Sequence, residues 1–251
     1  MALVWQTEFT ILHIGRRKES KVKPERFPAV RKTLERWRLL DAGSPRSAVF
    51  DEFRINVTKI AVQSRHPLLA LAEFLERHPT NLIVLATQRR KWLSRWINRS
   101  DAEALARWSN TKTLFIPDKA KRHFVSLDGQ VNLKRILVPV NREPDCTAAV
   151  EFSRRLAEIF GDTQVAITLL HVGESGMQMP SLPEGPQWTW NLESRQGSPV
   201  TEILSAAERH ASDLIVMPTA WHDGVLDALR GSIAERVLRH APCPLLAVPA
   251  R

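Results

Sequence analysis

The stretch Asp213–Arg251, DLIVMPTAWHDGVLDALRGSIAERVLRHAPCPLLAVPAR, decides the fold. Leu214 to Met217 is an apolar run too short for a helix, and Ser232 with Glu235 three residues on forms a capping-box pattern that opens one. Leu245 to Val248 is a second apolar run, preceded by Pro242 and Pro244 and followed by Pro249, residues that suit the ends of strands. The order is strand, long turn, helix, strand, and two strands joined through a helix lie parallel.

Working outward, FLERHPTNLIVLATQ from Phe74 matches AAERHASDLIVMPTA from Ala206 at a constant offset of 132, which places Ser100 and Glu103 on Ser232 and Glu235. LFIP ending at Pro117 then falls on LAVP ending at Pro249. Upstream, TILHIG ending at Gly15 matches TLLHVG ending at Gly173, at an offset of 158. The chain is a tandem duplication. In its second copy RILVPVN ending at Asn141 reads as a first strand, Thr147 to Phe160 as an amphipathic helix, Val165 to Val172 as a second strand and Trp188 to Glu193 as a third. The segment GESGMQMPSLPEGPQ reads as loop, and Ser198-Pro199 starts a helix. In the first copy that loop region instead holds Phe27, Val30, Leu34, Trp37 and Leu40 at helical spacing.

The Asp213–Arg251 stretch resembles the C-terminal third of universal stress protein (UspA-like) domains, with their DLIVMGTHG strand, glycine-bearing loop and GSVAERVLRHAPCPVLVV close. The resemblance implies two tandem α/β three-layer sandwiches of the adenine nucleotide alpha hydrolase-like kind with parallel sheets. The first is expected to lack its opening strand and helix, because Phe9 to Ile14 matches a second strand. In this family the opening strand sits mid-sheet. MALVWQTEF reads as the tail of a first helix, so a start upstream is expected. The domains expected are 1–118 and 133–251, joined by a polar linker, 119–132, with a turn at Asp128-Gly129.

Composition bounds the function classes. The 251 residues are 43% hydrophobic and 25% charged, with a net charge of +9, which suits a globular chain with a sizeable core. The sequence shows no apolar run of membrane-spanning length and no signal-peptide pattern, so a cytoplasmic location without membrane partners is expected. Two cysteines, Cys146 and Cys243, support neither a disulfide framework nor a four-cysteine metal site, and both read as reduced thiols. Residues 1–130 hold 25 Lys or Arg against 13 Asp or Glu, and residues 131–251 hold 11 against 14, so the halves are +12 and −3. Such asymmetry speaks to association rather than fold.

The resemblance implies a nucleotide crevice formed by Pro139, Val140, Asn141, Val172, Met217, Pro218, Thr219, Gly231 and Ser232, with ATP or another adenine nucleotide as the ligand considered. The family's loop pattern is G-x2-G-x9-G-[ST]; aligned on Gly231 and Ser232, its first two glycines fall on Pro218 and Trp221. The family's strand-end Asp falls on Asn141, which can bond a hydroxyl but brings no charge for magnesium. Nucleotide binding is therefore expected to be weak or lost, and the chain is expected to be a stress-response module acting through a ligand or protein partner, not an enzyme, with slow ATP hydrolysis left open. Alternatives are a nucleotide-independent interaction module and a nucleic-acid-associated protein. For the last, Arg89, Arg90, Lys91, Arg95 and Arg99 alternate with Trp92 and Trp96, a pattern suited to polyanions but equally to indoles packed on the domain. No nucleic-acid motif accompanies it, so nucleic acid is not the expected partner. His13 and His171, like His78 and His210, recur by duplication, and no metal is expected. Finally, the matched edges Leu114, Phe115, Ile116 and Leu245, Leu246, Ala247, Val248 are expected to pair antiparallel within one chain as a pseudo-dimer, with a higher homo-oligomer left open.

Overall fold

The computed structural model describes residues 8–15, 27–87, 111–117, 120–160, 164–174, 182–219 and 233–250. The chain divides into two compact units, Met1–Leu71 with Ser126–Gln130, and Ala72–Val125 with Val131–Arg251. This division runs through the first repeat rather than between the repeats. In both units helices lie between successive parallel strands, as between Gly15 and Val57 and between Val140 and Val165, the α/β architecture expected for a duplicated sandwich.

In the first unit β1 (Phe9–Gly15) and β2 (Val57–Gln63) pair in parallel, from Phe9 opposite Val57 to Gly15 opposite Gln63. Between them lie α1 (Val30–Arg36) and α2 (Ala48–Phe53). Leu34, Leu40, Ala48, Val49 and Ile55 form the buried core, with Val30, Trp37, Phe53 and Val57 packed against it. The helical spacing from Phe27 to Leu40 thus marks a real core face, but α1 covers only its middle. It stops because Arg38 turns to φ 57, and the amides of Arg38 and Leu39 bond back to the carbonyls of Glu35 and Leu34, the paired bonds of a Schellman cap. The Trp37 indole donates to the Leu127 carbonyl at 3.0 Å. Its ring lies against Gly129, whose φ of +87 and missing side chain allow the approach: a Cβ there would sit 2.4 Å from the indole.

In the second unit, which α3 (Pro67–Arg77) enters from the first, seven strands form one sheet in the order β3-β4-β9-β8-β5-β6-β7. They are β3 (Leu82–Thr87), β4 (Lys112–Pro117), β5 (Arg135–Val140), β6 (Val165–Val172), β7 (Trp188–Arg195), β8 (Leu214–Thr219) and β9 (Leu245–Pro249). All neighbours are parallel except β4 and β9, which run antiparallel with Thr113 opposite Ala247, Leu114 opposite Leu246 and Phe115 opposite Leu245. Leu114 and Leu246 are equivalents at the 132-residue offset, so the register is centred on a matched pair. Helices α4 (Thr147–Phe160), α5 (Pro199–Arg209) and α6 (Ile233–Leu238) bury Ala149, Val150, Leu156, Val200, Ile203, Val237 and Leu238. Strands covered on both faces read as continuous apolar runs, and β5, β8 and β9 are buried almost throughout.

The second repeat therefore has the arrangement β9-β8-β5-β6-β7, with its opening strand β5 at the centre. Among the described residues the first repeat has no counterpart of β5. Its strands separate accordingly: β1 and β2 make one pair, and β3 and β4 join the second repeat's sheet through β9. The two repeats also differ in burial. Val84 of β3 is 51% exposed, whereas Val216, its equivalent in β8, is 0% exposed.

The start of the segment read as linker is fastened to the second unit. The amides of Lys121 and Arg122 donate to the Pro242 carbonyl at 2.8 and 3.1 Å. The Arg122 side chain donates to the carbonyls of Ser212 and Ala207, each at 3.1 Å, and meets Glu208 at 3.2 Å. It thereby adds a cationic donor at the end of α5, where the Ala207 carbonyl also accepts the Ser212 amide at 2.9 Å. No helix among the described residues is long and apolar enough to cross a membrane.

Candidate functional site

Hydrogen-bonded pairing between β5 and β8 is confined to Ile136 opposite Leu214 and Leu137 opposite Ile215. Beyond these pairs β5 runs on to Val140 and β8 to Thr219 without pairing with each other, each still paired on its other side, with β6 and β9. Pro139 and Pro218 sit in these two parting ends, and neither has an N–H to extend the ladder between them. The strand order also reverses here, with β6 and β7 on one side and β8 and β9 on the other. In an open α/β sheet such a switch point, at the carboxyl ends of the strands, is where a crevice opens.

The crevice walls are built as follows. Val140 lies opposite His171 of β6, and Val172 follows at the strand end. Pro139, Val140, Met217, Pro218 and Thr219 are buried, Val172 is half-buried, and Asn141 is exposed at the rim. The Asn141 Oδ1 accepts the Arg142 amide at 2.9 Å, which turns the chain as β5 ends. Thr219 Oγ1 donates to the Val248 carbonyl at 3.3 Å, tying β8 to β9. The structure thus gathers seven of the nine candidate crevice residues at adjacent strand ends; Gly231 and Ser232, immediately before α6, lie outside the described residues. The polyanion candidates Arg89, Arg90, Lys91, Arg95 and Arg99 lie outside them as well. Of the edge residues, Leu114, Phe115, Leu245, Leu246 and Ala247 face partners across the β4–β9 seam, while Ile116 and Val248 lie one step beyond the paired positions.

Two functional side chains of this region carry more than their sequence positions suggested. His171 is buried, with Nδ1 3.3 Å from the Val140 carbonyl and Nε2 3.1 Å from the Glu174 carbonyl. It sits between the end of β5 and the loop after β6, donating its single imidazole N–H to one or the other of these carbonyls according to its tautomer, and Gly173 leaves it room, since a Cβ there would lie 3.1 Å from Nε2. The only signal in the sequence was its recurrence at His13, which duplication alone explains. Asp213 fastens the other end of β5: its Oδ2 accepts the amides of Lys134 and Arg135 at 3.0 and 2.9 Å, and Oδ1 lies 3.6 Å from the Arg135 guanidinium.

At these strand ends the described residues place one exposed neutral amide, Asn141, beside buried Pro139, Val140, Met217, Pro218 and Thr219; an amide can hydrogen-bond a hydroxyl but carries no charge. Burial raises the Cys146 thiol above its ordinary range, helped by Asp145, and pushes Cys243 up to about 12, so both are packing residues at neutral pH. Among the described residues no group of three His, Cys, Asp or Glu side chains converges as a metal site.

The universal stress protein family model matches residues 183–249. A universal stress protein of Methanocaldococcus jannaschii is 46% identical over 58 residues, and one of Methanothermobacter thermautotrophicus is 38% identical over 64. These alignments cover 23% and 25% of this chain, and the chain spans only 34% and 42% of those two relatives' lengths. Among solved structures, a universal stress protein of Archaeoglobus fulgidus aligns with a TM-score of 0.57 and 16% identity, over 100% of this chain and 93% of that one. A functionally unknown protein of Pseudomonas aeruginosa aligns with a TM-score of 0.54 and 13% identity, over 99% and 94%. At such identities the likeness is one of fold.

Proposed function

Because the chain belongs to the universal stress protein family through its second repeat, we propose that it is a cytoplasmic, non-enzymatic stress-response module that works by binding a ligand or partner. Adenine-nucleotide binding is weakened in the second repeat and lost in the first. The observation that carries this reading is the parting of β5 and β8 at their carboxyl ends, which leaves a crevice whose rim residue is Asn141 rather than a carboxylate. Shape is retained while the charge that would hold a metal-bound phosphate is not.

Calorimetry with ATP, with and without magnesium, tests it. Weak or undetectable binding is expected for the native chain. The triple substitution Asn141→Asp, Pro218→Gly and Trp221→Gly should raise affinity, because it restores a charge, an N–H donor and space for close backbone approach. Tight, magnesium-dependent binding to the native chain that disappears on Gly231→Trp would refute the reading.

A further inference from the structure

The seam between β4 and β9 closes within one chain, although the length of the connection to β5 does not require it. β4 ends and β5 begins at the same end of the sheet, and β9 and β8 lie between them, which puts them three strand spacings or about 14 Å apart. Residues 118–134 reach about 55 Å when extended, far enough for β4 to meet the β9 of another molecule of this chain.

The slack is taken up in a defined way. The Arg122 side chain bonds the Ser212 carbonyl and the Lys134 amide bonds Asp213, so the two ends of this connection are gathered on adjacent residues. Between them the chain folds back as a small hairpin. Val125 bridges Val131 in antiparallel fashion, the Asn132 amide donates to the Phe124 carbonyl at 2.7 Å, and the Ser126 amide donates to the Gln130 carbonyl at 2.9 Å. If two molecules exchanged β4, the bonds of Lys121 and Arg122 to Pro242, Ala207, Ser212 and Glu208 would travel with that strand and re-form on the other molecule. The bonds of Lys134 and Arg135 to Asp213 would stay in place. Among these bonds only those of the hairpin would be lost, since its two arms would be drawn apart.

We infer that the hairpin of residues 124–132 is a lock: it keeps the β4–β9 seam within one chain, and it is the hinge that opens when two molecules exchange β4. The clasp made by Lys121 and Arg122 adds stability to either arrangement and selects neither. The lock uses no residue of the crevice, so it stands independently of nucleotide binding.

The test uses full chains in which Cys146→Ala and Cys243→Ala remove the native thiols. One preparation carries Thr113→Cys and the other Ala247→Cys, two positions that face each other across the seam. Facing residues of an antiparallel pair lie about 4.5–5.5 Å apart at Cα, within disulfide range, so a cross-link between the two preparations reports β4 of one molecule on β9 of the other. The two are mixed in urea, refolded together over a range of concentrations and oxidised. Little cross-linked heterodimer is expected with the native hairpin. Asn132→Pro removes one hairpin donor and Ser126→Pro the other. An exchanged dimer opens two hairpins, so a bond worth about fivefold acts twice, and either proline should raise the exchange constant about 25-fold. Arg122→Ala removes bonds present in both arrangements and should lower the urea midpoint while leaving the exchange constant unchanged. Abundant heterodimer with the native hairpin, no rise with either proline, or an equal rise with Arg122→Ala would overturn the inference.

Discussion

Asp213 holds the opening strand of the second repeat in place, and removing its carboxylate measures how much that strand depends on one side chain. Its Oδ2 takes the backbone amides of Lys134, just before β5, and Arg135, its first residue, and its own amide donates back to the Arg135 carbonyl at 2.8 Å. Asp213→Ala strands both amides. Hydrogen bonds to a charged acceptor contribute about 1.5–3 kcal/mol each, and partial solvent access at Lys134 and Arg135 reduces the pair to about 3 kcal/mol in total. Asp213→Asn keeps an acceptor oxygen in place and loses only charge, so about 1 kcal/mol is expected. The first repeat has Asn81 at the equivalent position, where no described opening strand requires fastening. Urea unfolding followed by circular dichroism reads the difference, and the Ala variant should melt roughly 6–12 °C below the native chain. If Ala and Asn cost the same, or if Ala costs under 1 kcal/mol, the two amides are not held as described.

Further outcomes follow from other sites. Ala211 sits at φ 47 after α5, so Ala211→Gly should relieve strain and stabilise the second unit by about 1 kcal/mol in the same assay. Gly129→Val would force a side chain into the Trp37 indole at a strained φ, costing about 2 kcal/mol and shifting the fluorescence of that tryptophan. Glu193 is opposed by desolvation but accepts bonds from His210, Arg195 and Arg209, which together lower its carboxyl to about 2. Because the folded value lies below the unfolded one, its stabilisation is present above about pH 4.3 and is lost as pH falls toward 2. Glu193→Gln should therefore cost roughly 1 kcal/mol at neutral pH, discounted for exposed partners, and nothing near pH 2, as paired urea titrations would reveal.

Strands were legible where a periodic or apolar run had turn residues at both ends: Leu214 to Met217 and Leu245 to Val248 lie within β8 and β9. The antiparallel partner of β9 could be anticipated from the duplication, because Leu114 recurs as Leu246. The crevice was legible only through resemblance, since nothing local in Pro139 or Pro218 announces that two strands part. The roles of His171 and Asp213 were hidden because both act on backbone groups far away in sequence, 31 residues off at Val140 and 78 or 79 off at Arg135 and Lys134. The early end of α1 was hidden for a different reason: Arg38 adopts a left-handed backbone that its residue type does not favour.

The seam between β4 and β9 also bears on how the two copies have been free to differ. In a symmetric dimer joined through a self-matched leucine, the residue pairs on either side of that leucine must be identical, so any substitution arrives twice. Within one chain that obligation lapses. Here Leu114 and Leu246 still face each other at the centre, but one flank carries the small pair Thr113 and Ala247 and the other the large pair Phe115 and Leu245. The bulk of the interface is thus shifted to one side of its own axis, an asymmetry that separate identical subunits could not adopt.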